Sequence, residues 1–119
     1  MSVTFSIRGV ESNFETGENW VNFANVNART VLDLLGICVA DDSDLWGEIV
    51  NLDVVIRRAM RVLNNEHRDY GTPGFEIGGD GHARLIQCEI TDESVRRRIQ
   101  AVLNLCVEAK RIGTTVVFG

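Results

Sequence analysis

The fold is decided by residues 19–48, which read NWVNFANVNARTVLDLLGICVADDSDLWGE. A short β-like run over residues 20–23 passes directly into a helical repeat, in which Asn25 or Asn27 is expected to cap the helix and Gly36 to end it. Four apolar residues recur at the i, i+3, i+4 and i+7 spacing of one helix face: Ala28, Val31, Leu32 and Leu35. This stretch therefore predicts a strand followed at once by a short amphipathic helix.

The neighbouring segments predict a second strand and a second helix. Alternating apolar and hydroxyl residues over residues 3–7 predict a half-buried strand that pairs with residues 20–23 as an antiparallel hairpin. Residues 51–65 predict a helix with Asn51 as its cap. Its predicted apolar face contains six residues: Leu52, Val55, Ile56, Ala59, Met60 and Leu63.

Residues 71–81 contain five glycines and the only proline, which predicts a loop or a wide hairpin. A strand is expected over residues 83–90, and a third helix is expected to begin after Thr91 and to end at Gly113. A final strand is expected over residues 114–118. The apolar face of the third helix is predicted from six residues: Val95, Ile99, Val102, Leu103, Cys106 and Ala109.

These elements predict one α+β domain over residues 1–119, with a small mixed β-sheet of about four strands packed against three helices in two layers. The mixed sheet follows from treating residues 83–90 and 114–118 as parallel neighbours joined by a right-handed crossover. The final strand is expected at a sheet edge, where a homodimer could form.

Composition predicts a reduced, cytoplasmic protein without a membrane segment. The three cysteines, Cys38, Cys88 and Cys106, form no Cys-x-x-Cys pair, and their odd number argues against a disulfide framework. The N-terminal residues lack the basic start and apolar core of a signal peptide, and no run of about 18 apolar residues is present.

Charge is distributed unevenly along the chain, whose net charge is −5. Residues 1–50 carry two arginines against eight acidic residues, whereas residues 51–119 carry ten basic against nine acidic residues. An acidic surface repels phosphate backbones and attracts basic proteins. Nucleic acid is therefore a disfavoured partner, and a protein partner is expected.

Several short motifs resemble a family of small uncharacterised bacterial and phage proteins. The resemblance covers about half of the chain: residues 21–28 with their three nearby asparagines, the Gly-Glu-Ile at residues 47–49, and residues 88–119. It implies the strand-to-helix turn and a C-terminal strand-helix-strand, together with a phage origin. No established activity, cofactor or catalytic residue comes with it.

The leading interpretation is a non-enzymatic protein-interaction module whose acidic first half binds a protein partner, such as a host protein. It follows from the uneven charge, the small size and the absence of a catalytic cluster. A tryptophan beside an acidic turn often forms a protein-binding surface, although Trp20 and Trp46 are each more often core or half-core residues. The expected partner-binding residues are Asp41, Asp42, Asp44, Trp46 and Glu48.

The alternative is a binding protein for a small anionic ligand, such as a phosphorylated metabolite or a nucleotide. The site would be supplied by the glycine-rich loop and by two arginine clusters, Arg57, Arg58 and Arg61 on the second helix and Arg96, Arg97 and Arg98 on the third, because arginine forks bind phosphate well. The expected residues are Arg58, Arg61, Arg97, Asp80 and His82. The competing interpretation of these arginines is two solvated helix faces paired with acids such as Asp53 and Asp92.

Two further chemistries are disfavoured by the residues themselves, and neither a cofactor nor a metal is expected. Residues 42–53 partly follow the calcium-loop pattern, but Trp46 stands at its fifth position and cannot ligate an ion. A cysteine nucleophile paired with His67 or His82 has no supporting motif, and Cys88 and Cys106 fall on predicted core positions. No catalytic residue is predicted.

Overall fold

The structure is a computed structural model that describes residues 2–11, 19–37, 39, 45–78, 84–87 and 89–119. None of the helices in these ranges is both long enough and apolar enough to cross a membrane. The described elements, in chain order, are β1 (Ser2–Ile7), β2 (Trp20–Ala24), α1 (Asn25–Leu34), β3 (Gly47–Ile49), α2 (Leu52–Asn64), β4 (Phe75–Gly78), β5 (Arg84–Gln87), α3 (Asp92–Ile112) and β6 (Val116–Phe118).

Four strands form one sheet in the order β2-β1-β6-β3, with helices α1 and α3 packed against it and α2 packed on α3 and α1. The predicted α+β class, the four strands, the three helices and the two layers are confirmed. The predicted mixture of strand directions is wrong, because β1 is antiparallel to both β2 and β6, and β3 is antiparallel to β6. The expected N-terminal hairpin of β1 and β2 is present.

The error arose from the strand predicted over residues 83–90. In the structure β5 pairs with β4 as an antiparallel hairpin outside the main sheet, so it is not the neighbour of β6. A local hairpin loses less loop-closure entropy than a pairing across the 21-residue helix α3, and it needs no crossover. The fourth strand of the sheet is instead β3, and β6 is a central strand rather than an edge.

Helix α1 follows β2 without a linking residue, and its start differs from the prediction. The N-cap position is Ala24, with no side-chain cap bond, so neither Asn25 nor Asn27 caps the helix. Its end is as predicted: Gly36 has a φ of +71°, and Ile37 donates its backbone N–H to Leu32 O at 2.9 Å. This bond and the left-handed glycine form a Schellman motif, which satisfies a carbonyl of the last turn.

Both longer helices begin with the predicted caps. The Asn51 side chain accepts from the Val54 N–H, and Thr91 Oγ1 accepts from the Ser94 N–H at 3.2 Å. Helix α3 ends at Gly113, which has a φ of +92°. Side-chain oxygens at these positions bind N–H groups that the first helical turn leaves without partners.

The apolar faces of α1 and α3 are buried as predicted, whereas that of α2 is partly rotated. Met60 is half-exposed, and Val62 is buried in its place. The buried residues of α2 are Leu52, Val55, Ala59 and Val62. This set keeps the three-to-four residue spacing, and Met60 lies a further 100° around the helix from Ala59.

The sheet buries one face and leaves polar residues on the other. Alternate residues of β1 are buried against the helices, and the Phe5 ring is stacked on Phe118 at 5.3 Å between centroids. The intervening residues carry hydroxyl groups, and Asn22 donates its side-chain amide to Thr4 Oγ1 at 2.9 Å across the β1–β2 pair. The candidate site lies at the end of this sheet, where β3 is the last strand.

Candidate functional site

The exposed apolar residues on either side of β3 form the most prominent candidate binding feature. Trp46 and Val50 each expose 71% of their surface. Only Glu48 separates them on the same face of the strand, because side chains alternate along a strand. We call Trp46, Glu48 and Val50, together with the outward backbone of β3, the β3 edge. Trp46 was predicted to bind a partner, with a core or half-core position as the commoner alternative; its exposure excludes that alternative, and the binding role stays a prediction.

The backbone of β3 offers hydrogen-bonding groups at the end of the sheet. Just beyond the β1–β6 pairing, Gly119 exchanges two backbone hydrogen bonds with Thr4, at 2.9 and 3.1 Å. Because the direction of the backbone groups repeats every second residue, Val117 also directs its N–H and C=O towards β1. Glu48 lies opposite Val117 in the β3–β6 register. Its own N–H and C=O must therefore point away from β6, and no described strand lies on that side.

The inner side of β3 is held by close packing. Ile49 is buried at 3% exposure. A Cβ atom on Gly47 would come within 2.8 Å of the Phe118 ring, so the ring lies directly on the Gly47 backbone. Since Phe118 is itself stacked on Phe5, the position of β3 is fixed through the aromatic core.

Glu48 is tied to two neighbouring segments rather than left unpaired. Its Oε1 accepts from Thr115 Oγ1 at 2.7 Å and from Arg8 Nη1 at 2.8 Å, and these hydrogen bonds hold the pKa of the Glu48 carboxyl below its usual value. From the part of the chain that the structure describes, Oε2 receives only the longer contact of 3.3 Å from the same Arg8 nitrogen. The carboxylate therefore keeps acceptor capacity on Oε2.

The other residues predicted for partner binding, Asp41, Asp42 and Asp44, lie outside the described residues. The same holds for Asp80 and His82 of the alternative ligand site. Their role stays a prediction.

The predicted arginines are divided between two locations. The Arg58 guanidinium lies over Gly36 at the end of α1, where it would collide with any added Cβ atom. Arg61 and Arg97 are exposed on α2 and α3. Helices α2 and α3 are antiparallel, because Lys110 near the end of α3 contacts Asp53 at the start of α2 at 2.5 Å.

Arg96, which the sequence interpretation placed on a solvated face, is largely buried at the contact of α2 with α3. Its side chain is 19% exposed and its Nε donates to Asp92 Oδ2 at 2.7 Å, which is one of the local ion pairs that the competing interpretation expected. The guanidinium also donates to four backbone carbonyl oxygens at 2.5 to 3.2 Å, those of Val62, Leu63, Asn65 and Arg68. Arg96 thus caps the C-terminal end of α2 and has no donor left for a ligand.

Three open hollows lie among the described residues. One, of about 420 Å³, is lined by the carboxylates of Asp69, Glu89, Asp92 and Glu93, which would repel an anion. A second, of about 270 Å³, lies between Trp20 and α3. The third, of about 300 Å³, lies at the end of α1 and is lined by Arg29 and Asp33 with apolar residues.

Cys106 and the potential metal ligands bear on the sequence expectations for a nucleophile and a metal site. Cys106 is fully buried, and burial raises the pKa of its thiol to about 12, so it stays protonated and packs as a small apolar residue. Within the ranges that the structure describes, no three His, Cys, Asp or Glu residues are grouped so that they could hold a metal ion.

Sequence reasoning identified Trp46 and Glu48 but missed Val50 and the strand between them. A run of three residues is too short to show a period of two. The available signal was Gly47 between Trp46 and Glu48, because a glycine inside a strand often marks the close approach of another group.

Comparison of the chain with family models, curated proteins and solved structures finds no match in any of the three. The candidate site therefore depends on its own geometry, and the family resemblance of the sequence motifs stays an expectation.

Proposed function

We propose that this protein is a non-enzymatic interaction module that binds a protein partner at the β3 edge. The observation that carries the proposal is the 71% exposure of Trp46 next to an equally exposed Val50. Tryptophan is enriched at the energetic centre of protein interfaces, where its large apolar surface becomes buried. A partner would remove both side chains from water, which no described segment does.

The location of these residues supports the same function. An unpaired strand edge is a template for pairing with another chain, and natural proteins usually cover, shorten or charge it. Here β3 is short and carries Glu48, which discourages unselective pairing, yet it also carries two exposed apolar residues. The acidic first half of the chain would attract a basic partner, and a host protein of a phage fits the expected origin.

The test is capture of a partner by the immobilised protein, followed by its identification by mass spectrometry. The Trp46→Ala/Val50→Ala variant removes the apolar residues of the β3 edge. The matched control is Val26→Ala/Val107→Ala. It removes two valines on helices α1 and α3, whose side chains are 52% and 51% exposed. We expect the control to capture as much of the partner as the wild type does. The β3-edge variant should capture at least about tenfold less.

Circular dichroism of both variants checks that each remains folded. Equal capture by the wild type and the β3-edge variant would exclude the β3 edge as the binding surface. Charge reversal at Asp41, Asp42 and Asp44 then tests the remaining predicted residues, and is expected to weaken capture through loss of long-range attraction.

A second candidate function is binding of a small anion at the end of α1. It is favoured by one observation, the Arg58 guanidinium held over Gly36 beside the hollow that Arg29 lines. Against it, Asp33 shares the hollow, and the C-terminal end of a helix is the negative end of its dipole, which explains an arginine there without a ligand.

A thermal-shift measurement with inorganic phosphate and a nucleoside triphosphate tests the anion site. A stabilisation that disappears in Arg58→Ala and persists in Arg57→Ala would support it. No stabilisation of the wild type by either compound would exclude it.

A further inference from the structure

We propose that the partner binds as an extended, cationic segment that adds a fifth strand antiparallel to β3, with a lysine or arginine opposite Glu48. This inference rests on the proposed function and names the chemistry of the partner. It follows from the backbone, the apolar side chains and the charge of the β3 edge.

The backbone determines the form of the partner. Glu48 directs its N–H and C=O away from β6, and the same alternation applies to Trp46, two residues before it. At the other end of the edge the Val50 carbonyl already accepts from the Leu52 N–H at 3.2 Å, so the row of outward groups is formed by Trp46, Glu48 and the Val50 N–H. Such a row of outward groups is satisfied by a chain in extended conformation, as in other cases of strand addition to a sheet edge. Every strand pair of the main sheet is antiparallel, and antiparallel pairing is slightly more stable per residue.

The side chains determine which residues the segment needs. Trp46, Glu48 and Val50 share one face, so the partner presents three side chains to them from alternate positions. Directly opposite side chains have Cβ atoms about 4.5 to 5.5 Å apart, and aromatic residues pair well with β-branched ones. A valine or isoleucine opposite Trp46 and another β-branched residue opposite Val50 therefore complete the apolar contacts.

Charge determines the residue between them. Among the described residues Glu48 Oε2 receives only the 3.3 Å contact from Arg8, and a cationic side chain across the strand would supply a further donor. The net charge of −5 and the acidic first half attract a cationic segment before contact. Arg8 neutralises part of the Glu48 charge, so the expected selectivity is modest.

The same geometry disfavours a second copy of this chain as the occupant. Antiparallel pairing of two β3 strands over their full length about a two-fold axis would place Glu48 directly opposite the equivalent glutamate of the other copy. Like charges directly opposite each other destabilise a strand pair, and two chains of net charge −5 repel.

The experiment uses the whole protein and the acetylated, amidated peptide IVKTV, labelled at a flanking glycine for fluorescence anisotropy. In antiparallel register its lysine lies opposite Glu48, its last valine opposite Trp46 and its isoleucine opposite Val50. Two matched peptides serve as controls. IVETV reverses the central charge, and IVKTV with an N-methyl group on the lysine nitrogen keeps every side chain but cannot donate to the Glu48 carbonyl.

We expect IVKTV to bind about fivefold more tightly than IVETV at about 50 mM salt, with a smaller ratio at about 500 mM salt because salt screens the charge pair. The N-methylated peptide should lose at least about tenfold in affinity, because it cannot make the central backbone bond. In the Glu48→Gln protein the preference for lysine over glutamate should fall close to one.

Equal binding of IVKTV and its N-methylated form would overturn strand addition, and equal binding of IVKTV and IVETV would overturn the cationic segment. Absence of binding by all three peptides at about 1 mM would overturn both. The proposed function fails on a different result, equal capture by the wild type and the Trp46→Ala/Val50→Ala variant. If capture depends on Trp46 and Val50 while the peptides fail, the proposed function holds and the β3 edge binds its partner without strand addition.

Discussion

The contact between α2 and α3 around Arg96 and the β3 edge differ in how they use their polar and apolar groups. Around Arg96, one guanidinium at 19% exposure satisfies four carbonyl oxygens and the Asp92 carboxylate. At the β3 edge, Trp46 is 71% exposed and the backbone of Glu48 points away from the sheet. The first region has its bonding capacity filled within the chain, so it serves stability, whereas the second retains capacity for another molecule.

This comparison is tested most strongly at Arg96. Arg96→Ala leaves the last carbonyls of α2 and the Asp92 carboxylate without their partner, and should lower the free energy of unfolding by about 3 kcal/mol. The measurement is urea unfolding followed by circular dichroism. Arg97→Ala is the control, because it removes the same charge from an exposed neighbour and should change stability by less than about 0.5 kcal/mol. Equal effects of the two substitutions would contradict the capping role of Arg96.

The next effect is expected at Gly47, where the β3 edge is attached to the core. Gly47→Ala places a Cβ atom 2.8 Å from the Phe118 ring and should destabilise the protein by about 1 to 3 kcal/mol through overpacking. In a Phe118→Leu background the same substitution should be less destabilising, because the ring is absent. A double-mutant cycle of urea unfolding measures this coupling, and additive effects would show that the ring does not determine the penalty.

A pH series tests the region around Arg96 through the carboxylate of Asp92. The Tyr70 backbone N–H and Arg96 hold the pKa of the Asp92 carboxyl below its usual value in the folded protein. A folded-state pKa below the unfolded value stabilises the protein above the unfolded pKa, about 3.9, and this stabilisation is lost as pH falls through the folded value. We therefore expect stability to fall below about pH 4, and Asp92→Asn to flatten this decline.

The matched control for the pH series is Glu93→Gln, which removes an exposed carboxylate from the same helical turn. Urea midpoints between about pH 2.5 and 7 provide the profiles. If both variants flatten the decline equally, general charge repulsion rather than the Asp92 contacts would explain it.

The smallest effect is expected at Trp46. Because its side chain is largely in water already, Trp46→Ala should change the free energy of unfolding by less than about 0.5 kcal/mol. Phe118→Ala, in the neighbouring strand but 6% exposed, should cost about 3 to 5 kcal/mol by leaving a cavity. A loss above about 1 kcal/mol in Trp46→Ala would mean that this residue stabilises the domain itself.

Local sequence patterns predicted the parts of the molecule that depend on near neighbours. The apolar faces of α1 and α3, the caps Asn51 and Thr91, and the ends at Gly36 and Gly113 were all predicted correctly. The α2 face was only partly correct, because Met60 and Val62 are both apolar and two residues apart, so periodicity alone does not choose between them.

The candidate site was predicted less well because its properties depend on distant segments. An apolar residue such as Trp46 is more often at least half-buried; its exposure follows from β3 lying at the end of the sheet, which requires β6 to lie between β1 and β3. Arg96 was assigned to a solvated face because a helix pattern cannot show that carbonyls from 28 to 34 residues earlier converge on it.

The sequence by itself therefore determined an α+β domain, the starts of α2 and α3, the ends of α1 and α3, and the apolar faces of α1 and α3, because hydrophobic period and capping act over a few residues. Only the tertiary structure decided which strands are neighbours, which of two similar tryptophans is exposed and which arginine is buried. These outcomes depend on contacts between segments that are far apart in the chain. The free energy of such contacts is set by packing and by the satisfaction of buried polar groups, which no local pattern encodes.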